Sequence, residues 1–419
     1  MEGAVSGHLR KRQKGGFPVA GLRILMMIHR QADNSPYCFY VHEQAKALRA
    51  RGHEVVVIAC VGVMPMMARL RPAQAAVAAA TPKEAVIDGI PVYYPRCLTL
   101  GNAGERLLGG RLLARAALPI ARRLHKEKPF DLVHAHMLPR DGHAGLLVAR
   151  ALDIPMALTV HGTDIFAYFR PGEEPWRRNA RIAREADALM AVSGLLLSRV
   201  APYRGEGKLT RVVPNGVDLS LIPEETCNRP RAVISVGTLK ARKCMDRTLE
   251  AFAGLAAEFP DATLTIVGIG EMEAQLRARI GELGLEDRVT LTGGLPHGEV
   301  LSRMAQSDLF VLPSWGEGYG IVYIEAMAAG CIAVGAQGEG IEDTITDGEN
   351  GFLVPAGDID ATERVMRAVF ENRERYAALR EKGRRDARAL TWARNAQTVE
   401  EIYFELLNSG GNNHAQTRH

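Results

Sequence analysis

Short, almost purely apolar runs recur along this chain, separated by stretches with helical periodicity. The first run is 22–28; a helical pattern follows from 40 to 50, Arg51-Gly52-His53 stops it, and 54–59 is apolar again. Runs without polar alternation predict strands covered on both faces, and strand–helix–strand predicts a parallel sheet. Further strands are expected at 130–136, 156–162, 188–193 and 211–218, with helices over 66–80, 106–128, 141–151 and 178–186. A polar stretch with two prolines, 223–230, interrupts the rhythm. It then restarts, with strands at 232–237, 263–268, 289–293, 308–313 and 332–335 and helices at 245–259, 271–283 and from about 359 to 407. The expected fold class is α/β, two doubly wound Rossmann-like domains facing a cleft, with ligands outside the carboxyl ends of the strands. The expected division is a flexible tail at 1–20, a first domain at 21–222, a linker at 223–230 and a second domain at 231–390. A helix at 391–407, able to cross back to the first domain, and a disordered tail at 408–419 complete it.

Composition agrees with two domains and narrows the class. A chain of 419 residues is too long for one ordinary core, and 47% hydrophobic with 24% charged residues is the balance of a soluble globular protein. A formal charge of +4 argues against a nucleic-acid partner. The six cysteines are scattered without a CxxC pair, as expected of reduced thiols inside a cell. The best apolar run, 55–67, contains Gly62 and Pro65 and falls short of the ~18 residues of a membrane span. Arg10, Lys11, Arg12 and Lys14 precede an apolar stretch, but Arg23 interrupts it and no cleavage site follows. The expected location is cytoplasmic. The 106–128 segment carries seven basic residues among leucines and alanines. It reads either as a peripheral contact with the anionic inner face of the membrane or as a core-facing helix with a solvated basic side.

The most informative stretch is 314–328. An apolar strand closed by Pro313 leads into a turn with Gly316, Gly318 and Gly320, and a helical pattern begins near Gly320. Strand, glycine turn and helix N-terminus form an anion site, because free amides point outward and glycine lets a ligand approach the backbone. Glu317 and Glu325 bracket it, so the site suits a ligand with both phosphate and hydroxyl groups. Two other patterns carry weaker alternatives. His134 and His136 share one face of a strand, as a metal pair would, but no third ligand has a convincing spacing, so no metal is assigned. VGIG at 267–270 with Ala274 imitates a dinucleotide fingerprint, yet it lies in the second half and not at a first strand.

Taken together, the blocks DLVHAH at 131–136, TVHGTD at 159–164, PNGVD at 214–218 and VGTL at 236–239 with Lys243 resemble the retaining GT-B glycosyltransferases of family 4. VGIG at 267–270, EGYGIVYIEAM at 317–327 and DGENGFLVP at 347–355 extend the resemblance over about 22–405. EQAKAL at 43–48 followed by RGH at 51–53 resembles the subset that builds bacterial cell-surface polysaccharides. The resemblance implies a nucleoside-diphosphate sugar donor, no required cofactor, and a saccharide or lipid-linked acceptor in polysaccharide or glycolipid synthesis. It makes Glu325 the ribose-binding carboxylate and Glu317 a residue near the donor sugar. The amides of Gly318, Tyr319, Gly320 and Ile321 become diphosphate and sugar contacts. Lys243 would neutralise the departing diphosphate, and Gly270 would wall the donor site. His161 would face the donor sugar across the cleft, with Asp164 orienting it or touching acceptor and His136 on the acceptor side.

Two positions depart from the family pattern. Thr238 stands where an arginine is usual, which leaves Arg242 or, less well placed, Lys240 as the second cation. The glycine pair expected after the first strand is replaced by the bulkier 34–39 loop, either re-routed or adapted to an altered acceptor. No covalent nucleophile stands out, so front-face attack with the leaving phosphate oxygen as base is expected. The rival readings are a nucleotide-sugar epimerase or phosphorylase on the same scaffold, and a non-catalytic nucleotide-sugar-binding subunit.

Overall fold

A computed structural model describes residues 21–30, 37–64, 67–70, 72–99, 101–169, 172, 176–224 and 229–413. The chain builds two sheets. The first contains β1 (Arg23–His29), β2 (Glu54–Val63), β3 (Glu84–Ile87), β4 (Ile90–Tyr93), β5 (Arg96–Leu98), β6 (Leu132–His136), β7 (Met156–Val160), β8 (Ala188–Ala191) and β9 (Leu209–Val212). Its order is β3-β4-β2-β1-β6-β7-β8-β9, with β5 paired to β2. The second contains β10 (Ala232–Val236), β11 (Thr263–Val267), β12 (Val289–Leu291), β13 (Leu309–Val311), β14 (Ile332–Ala336) and β15 (Phe352–Val354), in the order β12-β11-β10-β13-β14-β15. Every pairing is parallel except β3 with β4.

The continuous apolar runs are explained by burial on both faces. In β1, Leu25 and Met27 join one core cluster while Ile24, Met26 and Ile28 join another on the opposite side. β3, β4, β5 and β15 are additions to the expected strands. The β3–β4 hairpin turns at Asp88 (φ 49°) and Gly89 (φ 71°), and an Asp-Gly turn between strand-forming residues is a strong hairpin signal in sequence. Its strands are short and half exposed, so their apolar content did not mark them.

The basic segment begins earlier than expected, as the helix Gly101–Glu127. Leu113, Ala117, Ala121 and Leu124 are buried, while Arg111, Arg115, Arg122 and Lys126 are exposed. That is a core-facing helix with a solvated basic side. Among the described residues, no helix is long and apolar enough to cross a membrane. Cys38, Cys60, Cys97, Cys244 and Cys331 are buried.

The last helix, Trp392–Asn413, returns to the first sheet. Gln44 Nε2 donates to Asn395 Oδ1 at 2.8 Å, Asn395 Nδ2 donates to the carbonyl of Pro214 at 2.6 Å, and His53 Nε2 meets Glu400 Oε1 at 2.8 Å. Tyr403 is fully buried there. The EQAKAL and RGH blocks are thus partly explained by docking this helix, since Gln44, Arg51 and His53 all bond to it. The helix continues to Asn413, which corrects the expectation of disorder from 408; 414–419, the 1–20 tail and residues 225–228 of the linker lie outside the described residues.

Candidate active site

The glycine turn lies at the carboxyl edge of the second sheet, between β13 and the helix Ile321–Ala328. Gly320 (φ 79°) is the helix N-cap in the left-handed region, where an added Cβ would also strike the Tyr323 ring at 2.5 Å. Gly318 is demanded by another neighbour: its Cβ would lie 2.6 Å from the His161 carbonyl oxygen and 2.8 Å from Gly162 Cα. The turn of the second half therefore touches the 161–162 turn of the first, backbone to backbone. Ser193 Oγ donates to the Gly318 carbonyl at 2.6 Å and closes the same contact.

Four amides of this turn, those of Gly318, Tyr319, Gly320 and Ile321, meet no acceptor among the described residues. Glu339 takes the two preceding ones, accepting from Gly316 N–H at 2.9 Å and from Glu317 N–H at 2.6 Å. No sequence pattern singled out Glu339. Burial raises the pKa of its carboxyl, although those two amides oppose the shift.

Glu317 forms an ion pair with Lys243, and Lys243 is 8% exposed. Lys243 ends the short 3-10 turn Ala241–Lys243 that leads from β10 to the helix Met245–Ala256. Arg242 Nη1 lies 3.9 Å from Glu317 Oε2 and donates to the Gly316 carbonyl at 3.3 Å. Thr238 and Lys240 are exposed. Of the cations considered from sequence, Lys243 and Arg242 reach the turn.

Glu325 is 9% exposed and has a partner that sequence reading missed: His297 Nε2 lies 2.7 Å from its Oε1. The hydrogen bond to Glu325 raises the His297 pKa. His297 also meets Phe39 of the first half edge-on, ring centroids 5.4 Å apart, so it sits where the two halves meet. A histidine opening the helix His297–Ala305 carried no family signal; only tertiary packing brings it to Glu325.

On the facing side, His161 follows β7 and lies between Tyr40, at 4.2 Å between ring centroids, and His136, whose Nδ1 is 3.1 Å from His161 Nε2. Burial pushes the His136 pKa down to about 3 and lowers that of His161 as well, so both rings are neutral near pH 7. Asp164 is 2% exposed, and its carboxylate accepts from the amides of Leu138 (3.0 Å), His161 (3.1 Å) and Gly162 (2.8 Å). This corrects the acceptor-contact option for Asp164. Its oxygens are occupied by the backbone, and what they do is hold the 161–164 turn.

The His134 ring packs against that of His136, with ring centroids 4.1 Å apart. Its Nδ1 is 2.6 Å from Tyr403 Oη and its Nε2 2.7 Å from Thr159 Oγ1, so neither nitrogen is free to bind a metal. Among the described residues, no group of three or more His, Cys, Asp or Glu side chains is arranged to hold a metal ion. Gly270 follows β11 at the same sheet edge, and its Cβ would fall 2.4 Å from the Leu239 carbonyl oxygen. The VGIG glycines thus let the turn after β11 pack on the turn after β10. Asn34, Ser35 and Pro36 of the altered loop lie outside the described residues, while Tyr37 and Cys38 are buried.

Two family models match successive parts of the chain. A family model described as Glycosyltransferase Family 4 matches residues 39–221, and one described as Glycosyl transferases group 1 matches 223–386. The chain is 26% identical over 389 residues to a glycogen synthase of Mycobacterium tuberculosis, covering 87% of this chain and 90% of that protein. It is 29% identical over 387 residues to a phosphatidyl-myo-inositol mannosyltransferase of Mycobacterium leprae, covering 88% and 93%. Among solved structures it resembles Anabaena HepE in complex with UDP-glucose, with a TM-score of 0.67 at 20% identity, over 92% of this chain and all of that one.

Proposed function

The chain belongs to the GT-B glycosyltransferases of family 4, and on that premise we propose that it transfers a glycosyl group from a nucleoside-diphosphate sugar to a saccharide or lipid-linked acceptor, with retention of configuration. The observation that carries this reading is the set of four amides from Gly318 to Ile321 that meet no acceptor among the described residues, beside the Lys243–Glu317 pair and against the His161–Gly162 turn. Those amides and the helix N-terminus suit a diphosphate, and Glu325, steadied by His297, suits the ribose hydroxyls.

In this reading Lys243 exchanges partners. Without donor its charge is held by Glu317; with donor the diphosphate takes the ammonium, and Glu317 turns to the sugar hydroxyls. As the bond to the sugar breaks, negative charge grows on the leaving phosphate, and Lys243 with Arg242 stabilises it. The acceptor hydroxyl attacks from the same face and gives its proton to the leaving phosphate oxygen. In this reading the His161 carbonyl, which packs against Gly318, meets positive charge at the anomeric carbon, and the Asp164 carboxylate, accepting from the His161 amide, steadies that turn. We assign the donor role to 231–390, the acceptor role to 21–222 and the connection to 223–230. The relatives' transferase and synthase names favour transfer over epimerisation.

The test is a screen of UDP-, GDP- and ADP-sugars for protection against thermal unfolding, followed by turnover with and without saccharide acceptors. A ligand that binds only the native state raises its melting temperature by mass action. Protection by one donor class and acceptor-dependent release of the nucleoside diphosphate are expected. Turnover of the donor to an isomeric nucleotide sugar without acceptor would replace this reading with epimerisation, and protection by none would remove it.

A further inference from the structure

Glu339 lies in the segment after β14, between Gly338 and Gly340, and is on a different strand connection from the turn it contacts. Its two carboxylate oxygens accept from two successive amides, Gly316 at 2.9 Å and Glu317 at 2.6 Å. The segment abuts the turn closely: Gly340 N–H donates to the Glu317 carbonyl at 3.0 Å, and a Cβ on Gly340 would lie 2.0 Å from the Gly318 carbonyl oxygen. One carboxylate spanning consecutive amides has the geometry of an anion in a backbone nest, here supplied by the protein itself.

The consequence is a division of the turn's donors. Gly316 and Glu317 are occupied by an internal anion, whereas the amides from Gly318 to Ile321 meet no acceptor among the described residues. A second anion is repelled from the first pair and directed to the later four. The same bonds fix the backbone of Glu317, whose side chain must alternate between Lys243 and a ligand. We propose that Glu339 is a positioning residue that pre-forms the diphosphate cradle and sets which amides the donor's phosphates engage. The inference rests on the glycosyl-transfer reading above. Its physical basis is preorganisation: a turn already ordered loses less freedom when the ligand binds.

The test uses the full chain with Glu339→Gln and Glu339→Ala. Binding of UDP, GDP and ADP is measured by calorimetry, and donor KM and kcat by steady-state assay. A carboxamide keeps one acceptor and turns an N–H toward a backbone N–H, so Glu339→Gln is expected to raise both the nucleoside-diphosphate Kd and the donor KM roughly tenfold. The alanine variant should raise them further, and kcat should change by less than about twofold. A merely structural role would reduce the fraction of active enzyme, lowering kcat at unchanged KM, and would overturn the inference. Where the alanine variant does not fold, the glutamine variant decides. Wild-type protein that binds none of the three nucleotides removes the functional reading and this inference together. Wild type that binds, with variants of equal Kd and KM, removes this inference alone.

Discussion

Lys243 and Glu317 are largely buried and paired, yet the proposed chemistry requires them to part. Such a pair holds two catalytic charges ready without leaving either uncompensated in the interior. Lys243→Ala is therefore expected to lower kcat roughly 100-fold, the loss typical of removing one preorganised charge stabiliser, while Glu325→Ala should raise the donor KM about tenfold. Steady-state kinetics with a donor identified by the screen checks both, and wild-type values in both variants would refute the site assignment. The neutral histidines carry a pH signature. His136 has its pKa lowered from 6.5 to about 3 by burial, so the unfolded chain takes up a proton that the native state refuses. Its contribution to stability is complete above about pH 6.5 and is lost as pH falls toward 3. Urea midpoints should decline across that window, and His136→Gln should flatten the decline.

Among the elements, the last helix is the clearest case of a long-range anchor. Tyr403 Oη lies 2.6 Å from His134 Nδ1 inside the first half's core. Tyr403→Phe leaves that nitrogen without its partner in a fully buried site, for an expected loss of about 1–3 kcal/mol, measured by denaturant unfolding. The elements also show what was legible in advance. The parallel strands were readable because burial on both faces makes their sequences apolar throughout. The glycine turn and Glu325 were readable because backbone conformation and chemistry restrict residue type locally. His297 and Glu339 were not, because a histidine at a helix start and a glutamate in a loop become site residues only through contacts with chain 28 and 23 positions away. The β3–β4 hairpin was available from its Asp-Gly turn and was missed because its strands are half exposed.

For the molecule as a whole, several contacts join the two halves near the cleft. Besides Ser193 to Gly318, the carboxylate of Asp343 accepts from the Gly194 amide, and Phe39 meets His297. Donor binding between the halves is expected to reinforce closure across these contacts. A Ser193→Ala, Asp343→Ala double variant is expected to have a larger radius of gyration than wild type without nucleotide, and to contract when a bound donor is added. Small-angle scattering measures both; equal radii in all states would show that these bonds do not hold the halves together.

By itself, the sequence determined most of the strands, the two-sheet α/β class, the glycine turn and the family, since these depend on local burial, backbone freedom and residues close together along the chain. Tertiary structure alone decided which cations reach Glu317, that Asp164 accepts from three backbone amides, that His134 bonds to the last helix, and that His297 reaches Glu325 and Glu339 the backbone of Gly316 and Glu317. Those outcomes depend on distances between segments remote in sequence, and residue type carries no record of such distances until the chain has packed.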